Sequence, residues 1–292
     1  SDFSADDESR RNLPIGVFDS GIGGLTVLEA ILASDQFDNS NLKPGADGKP
    51  DFENESFIYF GDQANMPYGN YSAEKKTDTL REHILKDLVF LLGRRYWKSG
   101  DADSPAFDKP PVKAVVIACN TATAYGLEDL RAACDAWGIP VHVIGVVEAG
   151  ARGLQSRWKD QEDAVAVFAT LGTCSSGAYP RIIQSTLGRA GYGPATITQK
   201  GSADLAAVLE GAPGFEDTSV ENIIRADIGG LVETYRKEEG ESAKPIGSVM
   251  LGCTHFPLAL KEIDEAFAYW KNWKSEDGEK PYAKLISAQR EF

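Results

Sequence analysis

The sequence predicts an α/β protein built from two similar domains, each a mostly parallel sheet flanked by helices. Three observations carry that expectation. Short β-branched and aromatic runs alternate with longer helical patterns. The length of 292 residues suits two modest domains. The two halves of the chain also repeat one another in the order of their motifs.

Taken in order, the strand candidates are "PIGVF" (14–18), "SFIYF" (56–60), "AVVIA" (114–118), "VHVIGV" (141–146), "AVAVFA" (164–169), "ATIT" (195–198), "SVML" (248–251) and "AKLIS" (283–287). Four fall in each half. Between them, apolar residues recur at helical spacing, as at Leu127, Leu130, Cys134 and Trp137, or at Leu260, Ile263, Phe267 and Trp270. Two stretches rich in Asp, Gly, Pro and Asn, 35–55 and 99–111, read as surface insertions.

The duplication is one of order more than identity. "FDSGIGG" follows the first strand of the first half and "TLGTCSSG" the first strand of the second. Each half then reaches a strand ending in a cysteine, "IACNTATA" or "LGCTHFPL". Asp19 and Cys119 are 100 positions apart; without an inserted stretch of about 20 residues, that spacing approaches the one from Thr173 to Cys253.

Composition narrows the function. The chain is 42% hydrophobic and 25% charged, and no apolar run is long enough to cross a bilayer, so no membrane partner is expected. Thirty basic against 44 acidic residues give a net charge of -14, which repels phosphate backbones, so no nucleic-acid partner is expected either. Cys119, Cys134, Cys174 and Cys253 are widely separated with no C-x-x-C pair, which suggests neither zinc nor a disulfide framework; free thiols in a cytoplasmic protein fit. The opening "SDFSADDESRRN" lacks an initiator Met and a signal-peptide core, and residues 1–13 are expected to be flexible.

In an open parallel sheet, ligands bind beyond the carboxyl ends of the strands, where helix N-termini offer N–H groups and a positive dipole end. An acidic protein can bind an anion there. The same dipole lowers a thiol's pKa, and both Cys119 and Cys253 are expected at that position. A cysteine nucleophile would need a His base, and His255 alone stands near either motif; His83 and His142 read as packing residues. Two thiols at equivalent stations suggest instead one on each face of a carbon acid, with Asp19 and His255 orienting or polarising them. Cys134 reads as core and Cys174 as incidental to the ligand. The run "GIGG" departs from the dinucleotide pattern at Thr26 and no P-loop is present, so its glycines read as permitting a tight turn.

The motifs "GVFDSGIGGLTVL", "FGDQANMPYG", "IACNTATA", "VIGVVEAGA", "GTCSSGAY" and "LGCTHFPL", in that order, resemble the cofactor-independent glutamate racemases of the aspartate/glutamate racemase superfamily over roughly residues 14–287. The resemblance implies two flavodoxin-like domains facing each other across the site: residues 14–146 with 286–292, and residues 147–285. It implies Cys119 and Cys253 as the acid/base pair, assisted by Asp19 and His255. Substrate contacts carry over to Asp19 and Ser20, Tyr68 and Gly69, Asn120 and Thr121, and Thr254 and His255, with Thr173 at the matching station of the second half.

The implied activity is racemisation of L- and D-glutamate without cofactor or metal, supplying D-glutamate for peptidoglycan, by a protein that forms a homodimer. Departures are "GDQA" for the usual GDTA, at Gln63, and "TQKGSADLAAVLEG", in which Glu210 is the counterpart of a pocket-rim glutamate. A typical member also continues beyond the position of Phe292 into a helix that closes the first domain. The alternatives are a racemase for aspartate or a hydantoin, or a glutamate-binding regulatory protein without turnover.

Overall fold

A computed structural model describes residues 8–158 and 163–291. In chain order the helices are α1 (Glu8–Arg11), α2 (Leu25–Leu32), α3 (Thr77–Leu92), α4 (Asn120–Trp137), α5 (Val146–Arg157), α6 (Leu171–Ser175), α7 (Ala178–Arg189), α8 (Leu205–Glu210), α9 (Val220–Glu239) and α10 (Leu260–Asn272). The strands are β1 (Ile15–Asp19), β2 (Phe57–Gly61), β3 (Ala114–Ile117), β4 (His142–Gly145), β5 (Ala164–Thr170), β6 (Ile197–Ser202), β7 (Ile246–Gly252) and β8 (Ile286–Glu291). Each overlaps one of the eight runs expected from sequence.

The strands form two all-parallel sheets ordered β2-β1-β3-β4 and β6-β5-β7-β8. Within its half, each sheet has the same winding, second strand, first, third, fourth, which is the order of a flavodoxin-like sheet. The duplication seen in motif order is therefore also one of topology. Burial explains the strand composition: every residue of β1 and of β5 is buried, as expected for inner strands covered on both faces.

The chain divides into two compact units, the first holding residues up to Met66 and Thr77–Gly145, the second Pro67–Lys76 and residues from Val146 onward. Two assignments made from sequence are corrected. Of the 286–292 segment, expected in the first domain, residues 286–291 instead extend the second sheet and residue 292 lies outside the described residues: β8 pairs with β7, Ile286 is 1% exposed, and Ile246 N donates to Leu285 O at 2.8 Å. Tyr68 and Gly69 belong to the second unit, because Gly69 packs on Thr170; a Cβ on it would lie 2.7 Å from Thr170 Cβ.

Of the segment 1–13, expected to be flexible, residues 1–7 lie outside the described residues; in the rest, α1 is helical and Lys113 Nζ donates to Arg11 O at 2.6 Å. Of the two apolar helix faces, Leu127, Leu130 and Cys134 are buried and Trp137 is 45% exposed; Ile263 and Phe267 are buried and Leu260 is 41% exposed. Trp137 is the last residue of α4, before the left-handed Gly138 that ends the helix, and so extends past the sheet it would cover.

Candidate active site

In the first unit, β1 delivers Asp19 and β3 delivers Cys119 to the carboxyl edge of the sheet, on adjacent strands. Asp19 is fully buried, and its Oδ2 accepts from Gly21 N at 3.2 Å and Gly24 N at 2.9 Å. These bonds wrap the "GIGG" turn around the carboxylate. Gly24 is required there by crowding: a Cβ would lie 2.5 Å from Asp19 Cβ.

Cys119 is the N-cap of α4, the position usually held by Ser, Thr, Asp or Asn, and its Sγ accepts from Ala122 N at 3.4 Å. The same Sγ donates to Ser20 Oγ at 3.6 Å, and Ala118 N donates to Phe18 O at 2.8 Å. Asn120 and Thr121 form the first residues of α4 and are 4% and 2% exposed.

The thiol's acidity runs against the sequence expectation. Burial, then the charge of Asp19, push Cys119 up to about 12 from an ordinary value near 9, outweighing the hydrogen bonding with Ala122 and Ser20 that lowers it. The helix N-terminus is present, but desolvation wins. Cys119 is thus a neutral thiol at pH 7.

In the second unit, β7 ends at Gly252 and is followed by Cys253, Thr254 and His255, all buried. This station also departs from expectation: Cys253 caps no α-helix. A turn closed by Phe256 N donating to Cys253 O at 3.1 Å leads into a short 3-10 helix, Phe256–Ala259, before α10. Phe256 is fully buried, with its ring 4.7 Å from that of Phe168 on β5. Burying such a ring stabilises by about 2–3 kcal/mol, which fixes the turn to the sheet.

His255 links this thiol to a carboxylate. Its Nδ1 lies 3.8 Å from Cys253 Sγ and 3.5 Å from Thr254 Oγ1, and its Nε2 contacts Glu210 Oε2. The His255 and Glu210 side chains are only 3% and 8% exposed. Glu210 is the last residue of α8, which stops at the left-handed Gly211, so the helix end aims the carboxylate at the ring. Glu210, by resemblance the counterpart of a pocket-rim glutamate, has its carboxylate against His255.

Thr173 is fully buried on α6, where its N–H donates to Thr170 Oγ1 at 3.2 Å and its hydroxyl accepts from Thr170's at 3.0 Å. Tyr68, 2% exposed, and Gly69 form a short 3-10 turn against that helix. Cys174 shares α6 and is partly buried. His142 is exposed on β4 and His83 lies partly buried on α3. Gln63 is exposed, whereas its neighbour Asp62 is buried and donates its N–H to Asp19 O at 2.9 Å.

Three polar positions escaped the sequence reading. Asp62 follows β2 at the same sheet edge as Asp19, so the strand-end rule would have found it. Thr170, an N-cap three residues before Thr173, carries an ordinary capping signal. Tyr179 has none: it is buried on α7, its ring 2.8 Å from where a Cβ on Gly252 would be, and nearby Cys253 and Cys174 add to burial in raising its pKa.

Among the described residues no group of three or more His, Cys, Asp or Glu is placed to hold a metal ion, and no helix is long and apolar enough to cross a membrane. Each unit presents one thiol at the carboxyl end of the third strand of its sheet, one beside a carboxylate and a hydroxyl, the other beside an imidazole and its carboxylate. Thiols placed in this way are suited to taking up and giving back a proton, the kind of chemistry an amino-acid racemase needs.

Comparison with known proteins carries the assignment further. The Asp/Glu/Hydantoin racemase family model matches residues 101–271, and the chain belongs to that family. It is 31% identical over 255 residues to the glutamate racemase of Limosilactobacillus fermentum, a match covering 87% of this chain and 73% of that one. A glutamate racemase isoform from Bacillus anthracis shares the fold with a TM-score of 0.60 at 24% identity, covering 96% of this chain and 86% of the other. The glutamate racemase of Francisella tularensis, solved with D-glutamate, gives a TM-score of 0.54 at 27% identity over 87% of this chain and 73% of that one. The protein is accordingly an isomerase of the amino-acid racemase class.

Proposed function

We propose that this protein interconverts L- and D-glutamate by two-base proton transfer between Cys119 and Cys253, with no organic cofactor or metal. The observation that carries the reading is the presence of one buried strand-end thiol in each unit, each with its own polar partner. Inverting Cα requires removal of a proton from one face and delivery to the other. A single base would return the proton to the face it came from.

The two stations are built differently. Nδ1 of His255 lies beside Cys253 Sγ while Nε2 contacts Glu210, so the ring can relay a proton to or from that thiol. Among the described residues of its own unit, Cys119 has no imidazole beside it; burial, then Asp19, hold its proton in place. In one direction of the reaction Cys253 is the base and Cys119 the acid.

The Cys253 thiolate takes the Cα proton, the bonding pair moves into the substrate carboxylate, and Cys119 S–H protonates the opposite face. The carbanion is consumed and the thiols exchange charge states; the reverse reaction runs with roles exchanged. Fixed dipoles stabilise the developing charge on the carboxylate: the N-terminal turn of α4 with Asn120 and Thr121, and the hydroxyls of Thr173 and Thr254. Asp19, Ser20, Tyr68, Gly69 and His255 complete the substrate contacts.

Glutamate is chosen over aspartate or a hydantoin because relatives of similar sequence are named glutamate racemases. The cellular role that follows is supply of D-glutamate for peptidoglycan in the cytoplasm, by a homodimer. The test is direct: L-glutamate mixed with this protein, without added cofactor, loses its circular dichroism signal. Retention of the signal, with loss of it from aspartate or a hydantoin, would transfer the activity to that substrate. Tight glutamate binding with no loss of signal would favour a regulatory protein.

A further inference from the structure

A second polar site lies in the second unit, between α5 and α7. A cavity of about 640 Å³ is lined by Glu148 and Arg152 of α5 and by Arg181, Ser185, Thr186 and Arg189 of α7. The spacing explains the convergence. Glu148 and Arg152 are four residues apart on α5, and Arg181, Ser185 and Arg189 recur every four on α7, so each set shares one helix face. The opposite sides of both helices are buried, through Val147 and Ala151 on α5 and Ile183 and Leu187 on α7.

Three guanidiniums against one carboxylate leave an excess of two positive charges around the cavity, in a chain whose net charge is -14. Such a concentration of like charge opposes its own assembly unless something offsets it. Among the described residues no carboxylate is ion-paired with Arg152, Arg181 or Arg189, and Arg189 Nη2 donates to Ser185 Oγ at 3.0 Å. Arginine rather than lysine supplies every cation, and its planar fork matches phosphate oxygens two at a time. The volume falls in the range of small-ligand pockets, well below what a duplex or a protein partner would need.

We propose that this cavity binds a small phosphorylated ligand, with a phosphate or diphosphate held between Arg152 on α5 and Arg181 and Arg189 on α7, and Ser185 and Thr186 donating to the remaining oxygens. The ligand is dissolved in water, not part of a membrane surface. None of the residues lining the site belongs to either thiol station, so its occupancy does not depend on the racemase reading.

Isothermal titration calorimetry of the whole chain with inorganic pyrophosphate tests it at low ionic strength. One binding event per chain is expected, weakened about tenfold or more in Arg152→Gln and in Arg181→Gln. Arg152→Lys, which keeps the charge but not the fork, loses part of that affinity. Arg95→Gln, on the first unit, leaves binding unchanged. Far-ultraviolet circular dichroism confirms that each variant is folded. No heat up to about 10 mM pyrophosphate, or equal weakening in Arg95→Gln, would overturn the proposal. Binding only to vesicles of anionic phospholipid, with none to pyrophosphate, would overturn the soluble ligand.

Discussion

The two thiol stations occupy the same topological place and are chemically unlike. Cys119 caps a long helix and donates to Ser20, and burial, then the neighbouring Asp19 carboxylate, raise its pKa. Cys253 precedes a tight turn and a 3-10 helix and faces an imidazole whose far nitrogen meets Glu210. Equivalent strands thus deliver the same atom into opposite electrostatic settings. The difference teaches that duplication supplied the placement of the thiols, while loops and neighbouring strands set which groups face each one.

The largest expected effect on that contrast comes from Glu210→Gln. It removes the charge behind His255 and leaves the side chain's shape, and kcat/KM is expected to fall about 100-fold. Because the two enantiomers have equal energy, kcat/KM falls equally in both directions. The contrast shows in α-deuterium isotope effects instead, which are expected to grow for only the enantiomer that gives its proton to Cys253. Growth for both enantiomers would mean that Glu210 serves the whole site.

Gly252→Ala tests the packing behind the same thiol. A Cβ would sit 2.7 Å from Ala169 Cβ and 2.8 Å from the Tyr179 ring, so a loss of about 1–3 kcal/mol is expected in denaturant unfolding. An unchanged midpoint would show that β7 and Tyr179 yield freely. Ser20→Ala makes the smaller change at the other station, about fivefold in kcat/KM, since one neutral hydrogen bond is worth about 1 kcal/mol.

A further effect, on stability, appears at high pH. Cys119 is pushed up to about 12 in the fold from near 9. The stability this reflects is present below pH 9 and is lost as pH rises toward 12, because the unfolded chain releases the proton first. The unfolding temperature of the wild type is expected to fall over that window, and that of Cys119→Ser to fall less. Cys174, also pushed up to about 12 by burial, leaves a residual slope in the variant.

Much of this was legible in the sequence, for identifiable reasons. Inner strands such as "AVAVFA" announce themselves because burial on both faces demands unbroken apolar runs, and both strand-end cysteines stood out because polar residues follow them. The membership of β8 and of Tyr68 and Gly69 was not legible, since each is decided by packing against residues far away in the chain. The acidity of Cys119 was misread for a related reason. A helix N-terminus can be inferred locally, but the desolvation that outweighs it depends on what surrounds the thiol. Glu210 showed the same limit: its presence was visible, and its contact with His255 depended on where α8 ends.

The central claim is that the two thiols act on opposite faces of Cα, and early-time deuterium incorporation tests it most directly. L-glutamate is incubated in deuterium oxide with the wild type and, separately, with Cys119→Ser and Cys253→Ser. The wild type is expected to place deuterium at Cα of the D-glutamate formed while unreacted L-glutamate stays protiated, and each variant to lose racemisation by about a thousandfold. Equal deuterium in the recovered L-glutamate, or full racemisation by either variant, would contradict the two-thiol account.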